Sequence, residues 1–231
     1  MLRRWQRSDG NMVEVAITTR ANGDFHIDAP PMELGERRNE IMAGPWAVVR
    51  QVHGAAVVEA DPTTTPEADG IFTDEVGQVI AVQGADCAPV AFVTDRGPVG
   101  VVHAGWRGLA AGVIDVMAAN LADRGAKIEQ IVVGPTIGVG CYEFGAEDLD
   151  AVAARLGDDV RATTGSGAPA LDLAAGISRV CDSLGLGPVE FLAGCTSCEA
   201  QSFFSHRARQ ETERHALAMR IITPTSGDLD G

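Results

Sequence analysis

The chain has 231 residues, of which 45% are hydrophobic and 22% charged, and it carries a net charge of −14. This is enough apolar material for a large core, and such a composition excludes a disordered polypeptide. The charge excludes a broad electrostatic surface for nucleic acid or anionic lipid, but a local pocket of opposite sign can still take a small anion.

At the N-terminus Arg3, Arg4 and Arg7 are not followed by an apolar run of signal-peptide length, and no segment reaches the length that spans a bilayer. A soluble cytoplasmic protein is therefore expected, with neither nucleic acid nor membrane as partner. Short Val- and Ile-rich runs predict strands over Val13–Thr18, Trp46–Val52, Ala55–Glu59, Val79–Val82, Pro89–Val93 and Val99–Val102. Asp95-Arg96-Gly97-Pro98 reads as the turn of a hairpin. From Gly108 to Arg124, Leu109, Val113, Val116, Met117 and Leu121 recur on one helical face, which predicts a single helix. Leu149, Val152 and Leu156 mark a second helix, and Leu173, Ile177, Val180 and Leu184 a third. Strands resume at Ile131–Val133, Val189–Leu192 and Leu217–Ile222. Pro62–Pro66 and Thr163–Pro169 read as loops, and Ser226–Gly231 as a frayed acidic tail. None of these is a domain boundary, so residues 1–231 are expected to form a single α/β domain, a mixed β-sandwich flanked by helices.

Five cysteines (Cys87, Cys141, Cys181, Cys195 and Cys198) are few and odd in number for a secreted disulfide framework, and reduced thiols are expected. Cys195-Thr196-Ser197-Cys198 is a C-x-x-C pair. It reads as half a zinc site or a redox pair, but no second pair lies at matching spacing.

Three segments carry chemistry. Gln51-Val52-His53-Gly54 and His103-Ala104-Gly105-Trp106-Arg107-Gly108 each place a histidine where an apolar run ends before a glycine. Ala85-Asp86-Cys87-Ala88-Pro89 places a thiol between two strands. Two imidazoles and one thiolate are three ligands, which leaves a fourth tetrahedral position open, as in catalytic rather than structural zinc. The separations, 34 residues from His53 to Cys87 and 16 from Cys87 to His103, fit a site assembled by tertiary folding and not a zinc finger. Taken singly, each residue reads equally as core packing. Asp86 and Asp69 are candidates to orient a ligand histidine or to move protons, with turn or cap roles as the alternative. Arg107, at a helix start where a cation is not favoured, is a candidate for binding phosphate or carboxylate. His206 and Arg207 are candidate substrate contacts.

These segments, with Ala68-Asp69-Gly70, Gly134-Pro135-Thr136-Ile137-Gly138, Cys141-Tyr142-Glu143, Leu171-Asp172-Leu173, Cys195-Thr196 and Phe203-Phe204-Ser205-His206-Arg207, occur in the order and approximate spacing of a known family. The chain resembles the YfiH family, also called multicopper polyphenol oxidase (laccase-like), purine nucleoside phosphorylase or peptidoglycan editing factor. The resemblance implies an α/β sandwich like that of the cytotoxic necrotizing factor deamidase domain, with His53, Cys87 and His103 as zinc ligands. It implies a metal-dependent purine nucleoside enzyme, catalysing phosphorolysis of adenosine, inosine and methylthioadenosine and deamination of adenosine. A small-molecule nucleoside and phosphate would then be the partners. It also offers a Cys87–His103 amide hydrolase that edits peptidoglycan precursors, and copper-dependent phenol oxidation, with Cu2+ in place of Zn2+. Five histidines are few for multicopper chemistry. The chain departs from the family at His26, which lacks a preceding Asn-Leu-Gly, and at Thr212-Glu213-Arg214, where a glycine is usual before the arginine. Oligomeric state is left open.

Overall fold

A computed structural model describes residues 1–224, so the tail expected at Ser226–Gly231 lies outside the described residues. In chain order the elements are β1 (Leu2–Gln6), β2 (Met12–Ile17), α1 (Pro31–Ile41), β3 (Trp46–Val48), β4 (Val57–Glu59), β5 (Gly70–Thr73), β6 (Val79–Gly84), β7 (Ala88–Thr94), β8 (Val99–Ala104), α2 (Trp106–Ala111), α3 (Val113–Asp123), β9 (Ile128–Val133), α4 (Ala146–Leu156), β10 (Arg161–Thr163), β11 (Pro169–Leu171), α5 (Leu173–Ser183), β12 (Val189–Phe191), α6 (His206–Arg209) and β13 (His215–Ile222). The mixed α/β architecture expected from the sequence is what forms.

Two sheets carry the fold. One has the order β1-β2-β13-β6-β3 and the other β12-β9-β7-β8-β5-β4, while β10 and β11 form a separate hairpin. Side-chain alternation explains the layering. Along β13, Leu217, Met219 and Ile221 enter the core between the sheets with Val13, Val15, Ile80 and Val101. Ala216 and Ala218 face the other way, towards Phe25, Leu34 and Trp46, which include the one fully buried position of α1. The second sheet is buried on both faces. Ala91, Val93, Val99 and Val101 meet the first sheet, whereas Val90, Phe92 and Val102 meet Leu109, Ile114, Met117, Leu121, Leu149, Val152 and Ile177 from the helices. This is why β7 and β8 read as unbroken apolar runs and not as alternating ones. A Cβ on Gly100 would collide with the Met117 sulfur, so the absence of a side chain lets α3 lie against β8.

The single helix expected over Gly108–Arg124 is two helices. Gly112 adopts a left-handed conformation with φ 90°, caps α2 and starts α3. The break re-phases the apolar stripe, so Ile114 is buried and Val116 exposed. The run Trp46–Val52 forms strand only to Val48. α1 was not legible because its sequence is charged and it buries only Leu34. Thr163 and Pro169, expected to bound a loop, are the last paired residues of the β10–β11 hairpin.

Strand register sets the position of the chemistry. Pro89 pairs with His103 and Gly70 with Val102, so Cys87 before β7, His103 near the end of β8 and Asp69 before β5 gather at one edge of the second sheet.

His215, at the start of β13, is buried against the Phe203 ring. Burial pulls its pKa down to about 4, against smaller upward pulls from the Pro135 backbone and the Asp86 carboxylate. The unfolded chain therefore binds the extra proton first, and stability falls as pH drops from about 6.5 to about 4. Between pH 7 and pH 5 this one group removes about 2 kcal/mol of unfolding free energy. Urea titrations should show His215→Phe losing correspondingly less over that interval than the wild type.

Candidate functional site

Asp69 organises the site. Its carboxylate is wholly buried and accepts the backbone N–H groups of Val52 at 3.2 Å, His53 at 2.9 Å and Gly54 at 2.6 Å. It also meets His103 Nδ1 at 2.8 Å, while the Asp69 carbonyl accepts the His103 N–H at 2.7 Å. One side chain thus folds the His53 loop and sets the His103 ring. Burial alone would raise the Asp69 pKa, but the hydrogen bonds from His103, Gly54 and Val52 outweigh it and hold the carboxyl below its usual range. His53 sits at φ 60°, a left-handed conformation, within this anchored turn.

The ligand atoms of His53, Cys87 and His103 all lie within 4.8 Å of one another. The two imidazole rings meet edge to face with centroids 4.9 Å apart. With Nδ1 engaged by Asp69, His103 presents Nε2 to this cluster. Close backbone approach makes the convergence feasible. A Cβ on Gly105 would lie 2.9 Å from Cys87 Sγ and 3.1 Å from His53 Cδ2, and one on Gly108 would lie 2.8 Å from the Gly54 carbonyl oxygen. Burial raises the Cys87 pKa, but the charge of His103 and hydrogen bonds from both histidines overcome it and bring the thiol down to about 6. Burial likewise lowers His103, yet the thiolate and Asp69 raise it to about 9. In the absence of metal each group's charge favours the charged form of the other, the thiolate of Cys87 and the imidazolium of His103. The donor set suits a borderline cation: a thiolate, two imidazoles and a carboxylate behind one of them.

The cluster lies at a cavity of ≈ 500 Å³. Its wall includes Trp106, Tyr142, Gln51 and Asp86, and its rim carries His26, Arg50, Arg107, His206, Arg207 and Arg214. Four arginines around one opening reverse the sign of a chain whose net charge is −14. Arg50 is paired with Asp28 at 3.1 Å. Arg207 donates to the Glu143 carbonyl at 2.8 Å and lies over the Tyr142 ring. Arg107 is exposed and stacks on its neighbour Trp106, with its Cζ 4.3 Å from the ring centroid. Tyr142 stays protonated, because burial and the Cys87 charge both raise its pKa.

Asp86 is brought to the cavity but bonds elsewhere. Its carboxylate accepts from Thr196 Oγ1 at 2.6 Å, Ser205 Oγ at 2.7 Å and the Arg207 N–H at 2.6 Å. Its carbonyl accepts from Thr136 Oγ1 and the Ile137 N–H. It ties the Thr196–Arg207 region to the strand that ends at Gly84. The cavity thus gathers His53, Cys87, His103, Arg107, His206, Arg207 and Asp86, while Asp69 stands behind His103. Read residue by residue, the sequence did not single out Tyr142, Trp106 or Arg50, since nothing at their own positions distinguishes a cavity wall from a core or a surface.

The family model described as multi-copper polyphenol oxidoreductase laccase matches residues 14–222. A Pseudomonas aeruginosa protein named purine nucleoside phosphorylase is 31% identical over 224 residues, covering 88% of this chain and 91% of that protein. The purine nucleoside phosphorylase YfiH of Shigella flexneri is 35% identical over 213 residues, covering 85% and 84%. Among solved structures, the Neisseria meningitidis protein NMB0706 superimposes with a TM-score of 0.79 at 26% identity, covering 96% of this chain and 98% of that one. YlmD from Geobacillus stearothermophilus superimposes with a TM-score of 0.76 at 26% identity, covering 95% and 97%.

Two outcomes follow from the geometry. In chelator-treated protein, alkylation of Cys87 by iodoacetamide should rise with a midpoint near pH 6, because the thiolate is the reactive form. His103→Asn removes the compensating charge, so the midpoint should move up. Gly105→Ala should fold with a loss of about 1–3 kcal/mol and displace Cys87 or His53, so that any metal affinity of the cluster, read by chelator competition, falls about tenfold or more.

Proposed function

The chain belongs to the multi-copper polyphenol oxidoreductase (YfiH) family, and from that membership we propose that it is a zinc-dependent purine nucleoside enzyme. One observation carries the reading: two histidines and a cysteine converge, with a fourth side open, on a cavity ringed by arginines. His53, Cys87 and His103 hold the ion. A bound zinc ion supplies Lewis acidity at the reacting centre.

The remaining steps belong to the chain's own groups. Asp69 keeps His103 in the tautomer that directs Nε2 inward and anchors the His53 loop. Trp106 and Tyr142 provide flat apolar wall against which a purine can lie, and the Tyr142 hydroxyl remains a donor. Arg107, without an ion pair among the described residues, takes phosphate, with Arg207 and His206 on the same rim. Phosphate held there is positioned to attack the anomeric carbon of the ribose, and the purine departs as ribose phosphate forms. Asp86, with three donors on its carboxylate, serves to position the Ser205–Arg207 wall. Deamination of adenosine at the same cavity would instead add water to C6 of the adenine, with ammonia leaving as inosine forms.

A second reading rests on the proximity of Cys87 and His103, whose mutual influence lowers the thiol pKa and raises that of the imidazole. In metal-free protein these form a nucleophile and an acid for amide cleavage, of the kind that editing of peptidoglycan precursors requires. Copper oxidation is the weaker candidate, because only two histidines join the cluster.

Protein purified with Zn2+ and assayed on adenosine and inosine should release free base and ribose phosphate only when phosphate is supplied. Inosine formed from adenosine without phosphate reports the deaminase. Arg107→Ala should raise the KM for phosphate about 10- to 100-fold while changing kcat less, as expected for loss of a charged hydrogen bond of about 1.5–3 kcal/mol. Product formation no greater than that of His103→Ala would reject the proposal. A metal-free isolate with rapidly alkylated Cys87 would favour the hydrolase.

A further inference from the structure

A second cluster of thiols lies outside the cavity lining. In the sequence Cys195 and Cys198 stand as a pair without a partner pair, and the fold supplies a third sulfur. Cys141 ends the short 3-10 turn Val139–Cys141 that follows β9 and the Gly134–Gly138 segment. Cys195 bridges to Thr136 of that same segment. The sulfurs of Cys141, Cys195 and Cys198 all lie within 4.8 Å of one another, with Cys141 and Cys198 3.3 Å apart.

The surroundings of Cys195 suit a thiolate. The Gly138 N–H donates to Cys195 Sγ at 3.1 Å. No side chain of opposite charge pairs with any of the three sulfurs among the described residues, so a cation would supply the missing compensation. Four sulfurs placed tetrahedrally around zinc at about 2.3 Å are roughly 3.8 Å apart, within the range of separations seen here. A Cys141–Cys198 disulfide would use the closest pair of sulfurs and leave Cys195 out.

We propose that Cys141, Cys195 and Cys198 form a second metal site, taking a thiophilic divalent cation such as Zn2+, with its fourth position open to solvent. As the sulfur–metal bonds form, the thiol protons pass to solvent. The site joins the turn before Tyr142 to the segment whose Thr196 bonds Asp86. The first segment leads into Tyr142 of the cavity wall and the second holds Asp86 of that wall, so the ion braces the wall from outside. The proposal shares no donor with the His53, Cys87 and His103 cluster and does not depend on the function assigned to it.

The experiment is a Zn2+ titration of reduced, chelator-stripped full-length protein against a chromophoric competitor, with Co2+ absorption as a second readout. The wild type should bind two equivalents. Cys141→Ser with Cys198→Ser, and the exposed Cys198→Ala alone, should each lose one equivalent and keep the other, which also shows that the variants fold. Cys87→Ser should keep one equivalent, and its Co2+ form should retain intense sulfur-to-metal charge-transfer absorption. Loss of that equivalent and that absorption on adding Cys198→Ala would identify the cluster. Full retention of metal in Cys198→Ala, or loss of all metal in Cys87→Ser, would overturn the proposal. So would a Cys141–Cys198 disulfide in the isolated protein that yields no second equivalent after reduction. Failure of the first site alone would appear as a wild type with one equivalent that Cys87→Ser leaves intact.

Discussion

The Asp69 carboxylate is the contact on which the rest of the site depends. A buried charge without partners is costly, and here one carboxylate is satisfied by three consecutive backbone N–H groups and a ring nitrogen. Those partners come from the His53 turn and from β8, which lie far apart in sequence. The same group therefore shapes a loop that needs a left-handed histidine and selects which nitrogen of His103 faces the cluster. Without it the loop would have three unsatisfied amides and His103 a free ring.

The second constraint is steric. The two histidines and Cys87 come together only where Gly105 and Gly108 let the start of α2 approach the Cys87 sulfur and the Gly54 carbonyl. These glycines are needed for space, since neither requires a left-handed backbone. The helix that follows is interrupted at Gly112, so α2 can face the site while α3 packs on β8 against Gly100. Chemistry at the sheet edge and packing in the core are thus divided between two short helices.

Charge is distributed in the opposite sense to composition. The whole chain is strongly acidic, yet Arg50, Arg107, Arg207 and Arg214 surround one opening. Acidic groups near the rim are largely spent: Asp28 on Arg50, Asp86 on three donors from the Thr196–Arg207 region, and Glu211 on Arg20 and Arg209. At Arg107, which has no ion pair among the described residues, the opening therefore presents positive charge despite the acidity of the chain.

Local pattern in the sequence determined the strands β2, β6, β7, β8, β9 and β13, the helices at Leu149 and Leu173, and the hairpin at Asp95–Pro98, because apolar periodicity and turn residues act over a few positions. It also showed that His53, Cys87 and His103 stand where apolar runs end, a setting suited to ligands. What it could not show was convergence. Strand register decided that Cys87 and His103 are neighbours, and a carboxylate buried behind them decided how the rings point. Asp69 and Asp86 look alike in sequence, each in an alanine-aspartate step, and it is Asp86 that adjoins Cys87. Only folding assigned one to His103 and the other to Thr196 and Ser205. The break at Gly112, the charged α1 and the third sulfur at Cys141 were hidden for the same reason: each depends on which segments meet across the fold, and that information is not held within any local window of residues.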